Sequence, residues 1–131
     1  MANNNTKVEQ FFSQYPLRTY SKGQVLIHAG DVPQFIYYIE QGRIRQYDIS
    51  YRGNEIVVQM YDKGDMLPML WVMTGLNNQF FFDVEAESLV RIAPKAEVLL
   101  FLRANSDVVL DVLESSYIGV NGLHTKIVHL V

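Results

Sequence analysis

The chain has 131 residues, 49% of them hydrophobic, with a formal net charge of −3 and no Cys. That length suits one domain that buries about two-thirds of its unfolded surface, and the absence of Cys excludes a disulfide frame, an iron–sulfur site and a thiol nucleophile. No apolar run approaches the ~20 residues of a membrane helix. The start, MANNNTKVEQ, lacks the basic and apolar layout of a signal peptide. A cytoplasmic location is the default. The basic residues are scattered, with only Arg43, Arg45 and Arg52 close together. Phosphate neutralisation by Lys and Arg supplies much of the affinity for nucleic acid, so this chain is not expected to touch DNA itself.

Residues 1–6, with Asn3, Asn4 and Asn5, read as a frayed, disordered N-terminus. Val8, Phe11, Phe12 and Tyr15 fall at i, i+3, i+4 and i+7, one apolar helical face. Pro16 ends that helix, because the residue before a proline avoids the α region. From Leu17 to Pro94 the texture is that of strands: short runs rich in Val, Ile, Tyr and Phe, punctuated by Gly. Strands are predicted near 17–20, 24–29, 35–40, 43–50, 54–61, 80–86 and 88–93. Turn signals stand at Lys22-Gly23, Gly30-Asp31, Gln41-Gly42, Arg52-Gly53 and Lys63-Gly64. Many short strands at such spacing imply an antiparallel barrel, roll or sandwich.

After Pro94 the period becomes helical. Pro94 suits a first helical position, where its missing N–H costs nothing. Val98, Leu99 and Leu102 give a short helix its stripe, and Asn105 or Ser106 can cap the next, with Asp107 near the positive end of its dipole. In that last helix Val109, Leu113, Ser116, Val120, Leu123, Ile127 and Leu130 recur at alternating four- and three-residue steps. This is the a/d seam of a helix paired with its own copy. The competing reading is a helix packed on the roll of its own chain. Gly119 and Gly122 each cost ~1 kcal/mol relative to Ala in a helix; they allow either a close approach of two helices or a break.

The ordered turns carry a resemblance. Tyr20-Ser21-Lys22-Gly23 is followed by Ala29-Gly30-Asp31, then Tyr37-Tyr38-Ile39-Glu40-Gln41-Gly42, Gly53 and Lys63-Gly64-Asp65. Val84, Ala86 and Leu89–Ile92 complete the series. From about residue 8 to 131 the chain resembles the cyclic-nucleotide-binding sensor domain of the Crp/Fnr family of bacterial transcription regulators. The resemblance implies a mainly β fold with flanking helices: an antiparallel β-roll of the double-stranded β-helix, jelly-roll-like kind. An N-terminal helix, a short helix and a long C-terminal dimerisation helix would flank it. The implied organisation is a frayed end at 1–6, a sensor roll at 7–105 and a dimerisation helix at 106–131. In the family that helix leads to a helix-turn-helix domain, which is absent here. The seam is still running at His129-Leu130-Val131, which favours an excised sensor domain over a stand-alone protein.

In nucleotide-binding members the segment after the Gly-Asp turn is a phosphate cassette. A short helix offers N–H groups, a Glu holds the ribose and an Arg pairs with the phosphate, as buried anions require. Carried onto this sequence, the Gly-Glu positions fall near Pro68-Met69 and the Arg position near Phe80, with Gln79 the nearest polar residue. No Arg lies between Arg52 and Arg91. Asn77, Asn78 and Gln79 offer hydrogen bonds but no charge. Cyclic AMP and GMP are therefore not expected to bind in the family's manner.

Two readings of the apolar cassette stay open. One is a pocket for an apolar or aromatic effector lined by Leu67, Met69, Leu70, Trp71, Phe80 and Phe82. Its polar contacts would come from Ser116, Tyr117, Asp83 and Tyr61. The other is a core that these side chains fill. No metal is expected: His124 and His129 are five apart on the terminal helix, hence on different faces, and His28 is alone in its strand. No GxSxG, P-loop or HExxH motif occurs, and Glu85 and Glu87 read as a solvated strand face. Neither enzymatic activity nor a resident cofactor is expected. The chain is expected to be an effector-sensing, homodimerising domain that reaches DNA only through a domain outside this chain. The alternatives are a stand-alone dimeric interaction module and a nucleotide binder with displaced anchors. Replacing Leu123→Asp is expected to turn a dimer into a monomer in analytical ultracentrifugation; a persistent dimer would contradict the helix seam.

Overall fold

Two long strands organise the molecule, and both are longer than their sequence runs suggest. The computed structural model describes residues 2–114. In chain order it contains α1 (Ala2–Phe12), β1 (Leu17–Tyr20), β2 (Val25–Ile27), β3 (Phe35–Ile49), β4 (Glu55–Tyr61), β5 (Met66–Leu67), α2 (Met69–Thr74), β6 (Phe81–Pro94) and α3 (Lys95–Ala104). Residues 106–114 are helical and are called α4. The sheet runs in the order β1-β6-β3-β4, with β2 also on β6 and β5 also on β3. Every pairing is antiparallel. This is the expected β-roll with flanking helices.

The turn expected at Gln41-Gly42 is not a turn. The strands expected at 35–40 and 43–50 are one strand, β3, paired along its length with β6, which in turn unites the runs expected at 80–86 and 88–93. Gly42 serves a different purpose from reversal. Its φ is 113°, and a Cβ there would lie 2.6 Å from the Ser88 Cα. The pairing shifts register on either side of Gly42. Ser88, itself fully buried, fills the defect: its hydroxyl donates to Ala86 O at 2.7 Å and accepts from Arg43 N at 3.1 Å. The irregularity changes which face β3 presents. Tyr37 and Ile39 face the inner core, and so does Ile44, although strict alternation would send odd and even positions to opposite sides. A β-bulge shifts that alternation by one residue.

Two cores result. The inner one, within the roll, holds Ile27, Ile39, Ile44, Leu67, Phe82, Val84 and Val90. The outer one lies between the roll and the helices and includes Phe12, Ile36, Tyr38, Val72, Val98, Leu102 and Val108. Helix α1 enters it through the predicted face. Phe12 stacks on Tyr38 at 5.0 Å between ring centroids, and Phe11 stacks on Phe101 of α3 at 4.3 Å. Arg91 of β6 receives the end of α1, donating from Nη1 to Tyr15 O at 2.8 Å and from Nε to Glu40. A cation there suits the negative end of the helix dipole. The helical backbone of α1 starts at Ala2, inside the stretch expected to fray. Once Val8 and Phe12 anchor a helix, each further turn adds hydrogen bonds at little cost.

Pro94 closes β6 with extended backbone and precedes the first residue of α3 by one position. Asn105 closes α3, its Nδ2 donating to Phe101 O at 2.9 Å, and its carbonyl accepts from Val108 N at 3.0 Å to open α4. Asp107 pairs with Lys7 at 2.7 Å and so ties α4 to α1. Val108 and Val112 of α4 are buried on the chain's own roll, and Val109 packs partly against the same core. Leu113 is 48% exposed. Of the predicted seam, Val109 and Leu113 are thus described; Ser116, Val120, Leu123, Ile127 and Leu130 lie outside the described residues.

The pinch at Gly42 can be separated from ordinary turn glycines. Gly42→Ala is expected to cost about 3 kcal/mol or more in urea unfolding, from positive φ and overpacking together. Gly53→Ala, at φ 87° with nothing near its Cβ, is expected to cost only about 1–2 kcal/mol. Equal losses would show that the Ser88 contact is not the reason for Gly42.

Candidate ligand chamber

The inner core is closed at one end by β5, α2 and the segment leading into β6. Leu67, the last residue of β5, is fully buried, and Tyr37 is its partner across the sheet. Helix α2 follows at once. It is only six residues long, opens after Pro68 and ends at Gly75, whose φ is 73°. The periodicity of the sequence runs did not indicate β5 or α2; the family resemblance implied a short helix here.

The helix faces two ways. Met69 and Val72 enter the outer core, whereas Trp71 packs on the inner one. Trp71 lies 5.6 Å from the Phe80 ring and 5.9 Å from Phe82, the latter edge-on, and Tyr61 lies 6.0 Å from Phe82. These separations are those of favourable aromatic pairs. Phe82 is fully buried, and truncation to Ala at such a site costs about 3–5 kcal/mol.

Phe80 is positioned by a residue that the sequence suggests only as a generic donor. Asn78 is fully buried. Its Oδ1 accepts from Phe80 N at 2.9 Å, and its Nδ2 donates to Phe80 O and to His28 O. Its backbone N–H donates to Asp31 O at 3.1 Å, and its carbonyl accepts from Gly30 N at 2.6 Å. The turn at Gly30-Asp31 and the stretch before β6 are thereby stapled together.

Of the residues predicted to line a pocket, Tyr61, Leu67, Trp71, Phe80 and Phe82 are brought together. Met69 belongs to the outer core, Leu70 is 36% exposed at the surface of α2, and Ser116 and Tyr117 lie outside the described residues. Asp83 does not share the chamber. It follows Phe82 on β6 and so faces the other way, where Arg45 meets it with Nε at 2.7 Å and Nη2 at 2.9 Å. Arg45 also reaches Glu55 at 2.9 Å and lies over the Tyr47 ring at 4.3 Å. Hydrogen bonding to Asp83 above all raises the Arg45 pKa, so the guanidinium is permanently charged. A cleft of about 280 Å³ adjoins this group, lined among others by Lys22, Arg45, Val57, Asp83 and Glu85. Its opposed charges neutralise each other.

One chamber residue had no sequence signal. Gln46 of β3 is 4% exposed and accepts a 2.7 Å hydrogen bond at Oε1 from the Tyr61 hydroxyl. In the run RIRQYDI it reads as a surface residue; only the shifted alternation of β3 turns it inward. Burial, and secondly the charge of Asp65, raise the Tyr61 pKa, so its phenol stays neutral at physiological pH.

Fold and site together define a β-roll domain with an inner core of aromatic and aliphatic side chains. The profile of the cyclic nucleotide-binding domain matches residues 17–105, more than half of the chain, and the chain belongs to that family. Solved structures agree in fold. The c-di-GMP-responsive global regulator CLP of Xanthomonas campestris is 12% identical, with a TM-score of 0.80, over 95% of this chain and 63% of its own. CprK, in its oxidised form in complex with o-chlorophenolacetic acid, is 13% identical, with a TM-score of 0.72, over 95% and 52%. The sensor domain of the transcriptional regulator DNR of Pseudomonas aeruginosa is 16% identical, with a TM-score of 0.69, over 93% and 80%. This chain thus spans between half and two-thirds of the length of the first two. No curated protein sequence matches it. Among the described residues no helix is long and apolar enough to cross a membrane, and no group of three or more acidic, His or Cys residues could hold a metal.

The Arg45–Asp83 pair is expected to be structural. Arg45→Met should destabilise the domain by about 3 kcal/mol, because it strands a buried carboxylate. Adding Asp83→Leu should recover most of that loss in a double-mutant cycle followed by chemical unfolding. An additive pair would show that the two side chains do not depend on each other.

Proposed function

We propose that this chain is the effector-sensing and dimerisation domain of a Crp/Fnr-type transcription regulator, and that its roll takes an aromatic molecule in place of a cyclic nucleotide. The observation that carries this reading is the chamber wall. Where the family resemblance places the Glu and Arg of the phosphate cassette, near Pro68-Met69 and Phe80, this chain has no charged side chain, and the rings of Trp71, Phe80 and Phe82 stand together on the inner core. A buried phosphate without a cation or a well-formed helix end bears its full desolvation cost. Rolls of this shape are associated with chemically different molecules: CLP is described as c-di-GMP-responsive, and CprK was solved with an aromatic acid.

Helix α2 offers a route for the signal. Trp71 lies on the chamber, while Met69 and Val72 share the outer core with Val108 and Val112 of α4. A molecule that displaces Trp71 would shift α2 and bias how α4 packs, a population shift between two arrangements. In this reading the seam from Val109 to Leu130 forms the homodimer, DNA is reached through a domain outside this chain, and the protein works in the cytoplasm. The mutual contacts of Trp71, Phe80, Phe82 and Tyr61 favour a second reading, a stand-alone dimeric module whose roll is filled.

Two measurements separate these possibilities. Calorimetry with cyclic AMP is expected to show no binding tighter than about 100 μM, near −5.5 kcal/mol; micromolar binding would mean that displaced anchors exist. Trp71 is the single Trp of the chain, so its emission reports on the chamber. A titration with toluene, benzamide and benzoate is expected to change that emission saturably for at least one compound. No response to any of them would favour the filled roll.

A further inference from the structure

Gln46 raises a question that the effector reading leaves open: why an amide sits inside an aromatic core. Gln46 is 4% exposed and stands on the same inward face as Ile44. It pairs across the sheet with Phe82 on one side and Gln59 on the other, next to a register shift between Gln46 and Tyr47. Bulges beside functional sites re-aim side chains in this way. Burying an amide costs free energy unless its donors and acceptors are matched. Its Oε1 is matched by the Tyr61 hydroxyl at 2.7 Å. Its Nε2 has no hydrogen-bond partner among the described residues. No fully enclosed side-chain nitrogen or oxygen among the described residues lacks a partner, so Nε2 borders space that a water-sized molecule can reach.

The pair therefore presents a defined pattern. Nε2 is a free donor. The Tyr61 oxygen, having given its proton to Gln46, keeps lone pairs that accept. Both groups are neutral, and Tyr61 is flanked by the Phe82 ring at 6.0 Å. A carboxylate or phosphate placed there would meet one neutral donor and no cation. A carboxamide would meet a donor for its oxygen and an acceptor for its N–H, while its ring packs against Trp71 and Phe80.

We propose that Gln46 and Tyr61 are the specificity pair of the chamber, selecting an uncharged aromatic molecule that carries a carboxamide or a comparable neutral donor–acceptor group. This rests on the effector reading above and goes beyond it by fixing the charge and polarity of the ligand. Sites built to hydrogen-bond a ligand reject the analogue that lacks the group, because their own buried polar atoms are then left unmatched.

The test uses the same Trp71 emission, with toluene, benzamide and benzoate as probes. Benzamide is expected to bind at least about tenfold more tightly than toluene, the order of one matched buried hydrogen bond, and more tightly than benzoate. In Gln46→Met, which keeps length and removes the amide, the benzamide-to-toluene ratio is expected to fall to about one. Tyr61→Phe provides the same comparison should Gln46→Met fail to fold, and circular dichroism identifies a folded variant. Toluene binding as tightly as benzamide in the wild type, or a preference that survives either folded variant, would overturn this pair while leaving the effector chamber standing. Silence toward every probe would overturn both.

Discussion

The pinch between Gly42 and Ser88 is the constraint on which the rest of this domain depends. Two strands of 15 and 14 residues pair along nearly their whole length. Strands that long cannot keep one pleat and also enclose a roll, since the twist of paired strands accumulates along them. The defect at Gly42 lets the two backbones approach closely, and the Ser88 hydroxyl holds the disturbed segment by binding Arg43 N and Ala86 O. Its consequence is one of parity. Beyond Gly42 the even-numbered residues Ile44 and Gln46 point inward, and Arg45 and Tyr47 outward. The ionic cluster of Arg45, Asp83 and Glu55 therefore ends on the outer face of the roll, where the guanidinium of Arg45 reaches both carboxylates.

That separation of ionic exterior from apolar interior explains the chemistry of the site. A phosphate buried in such an interior would need a cation or several hydrogen-bond donors to offset its desolvation. Here the charges nearest in sequence are engaged elsewhere: Arg43 with Asp62, Arg45 with Asp83, and Arg91 with Glu40. Each is held by a carboxylate on the outside of the sheet. Among the described residues, what lines the interior is a set of aliphatic and aromatic side chains and one neutral hydrogen-bonded pair, Gln46 and Tyr61. The same scaffold can host unrelated ligands because the roll sets the position of the chamber, while a few side chains set its polarity.

Helix α2 links that chamber to the rest of the molecule. It is too short to stand alone and is held by packing, with Trp71 on one core and Met69 and Val72 on the other. An element anchored on two cores is suited to transmit displacement from one to the other, because packed interiors resist gradual deformation. The Asn78 staple completes the arrangement by fixing the stretch that carries Phe80 to the turn at Gly30-Asp31.

Much of this was legible in the sequence for local reasons. The face formed by Val8, Phe11, Phe12 and Tyr15 marked α1, the Val- and Ile-rich runs marked the strands, and the order of Gly-containing turns marked the family. The apolar run around Trp71 marked side chains that join the cores. These properties reside in a few neighbouring residues, so a short window contains them. Tertiary structure decided the rest. Gly42 looks like every other turn glycine, and only its contact with a residue 46 positions away, Ser88, shows that the chain does not reverse there. Gln46 looks like a surface residue and Asp83 like a pocket residue. The parity of β3 reverses the first expectation and the alternation of β6 the second. Which side of a strand faces the core is set by pairing across the sheet, and that pairing is a long-range property no local stretch of sequence contains.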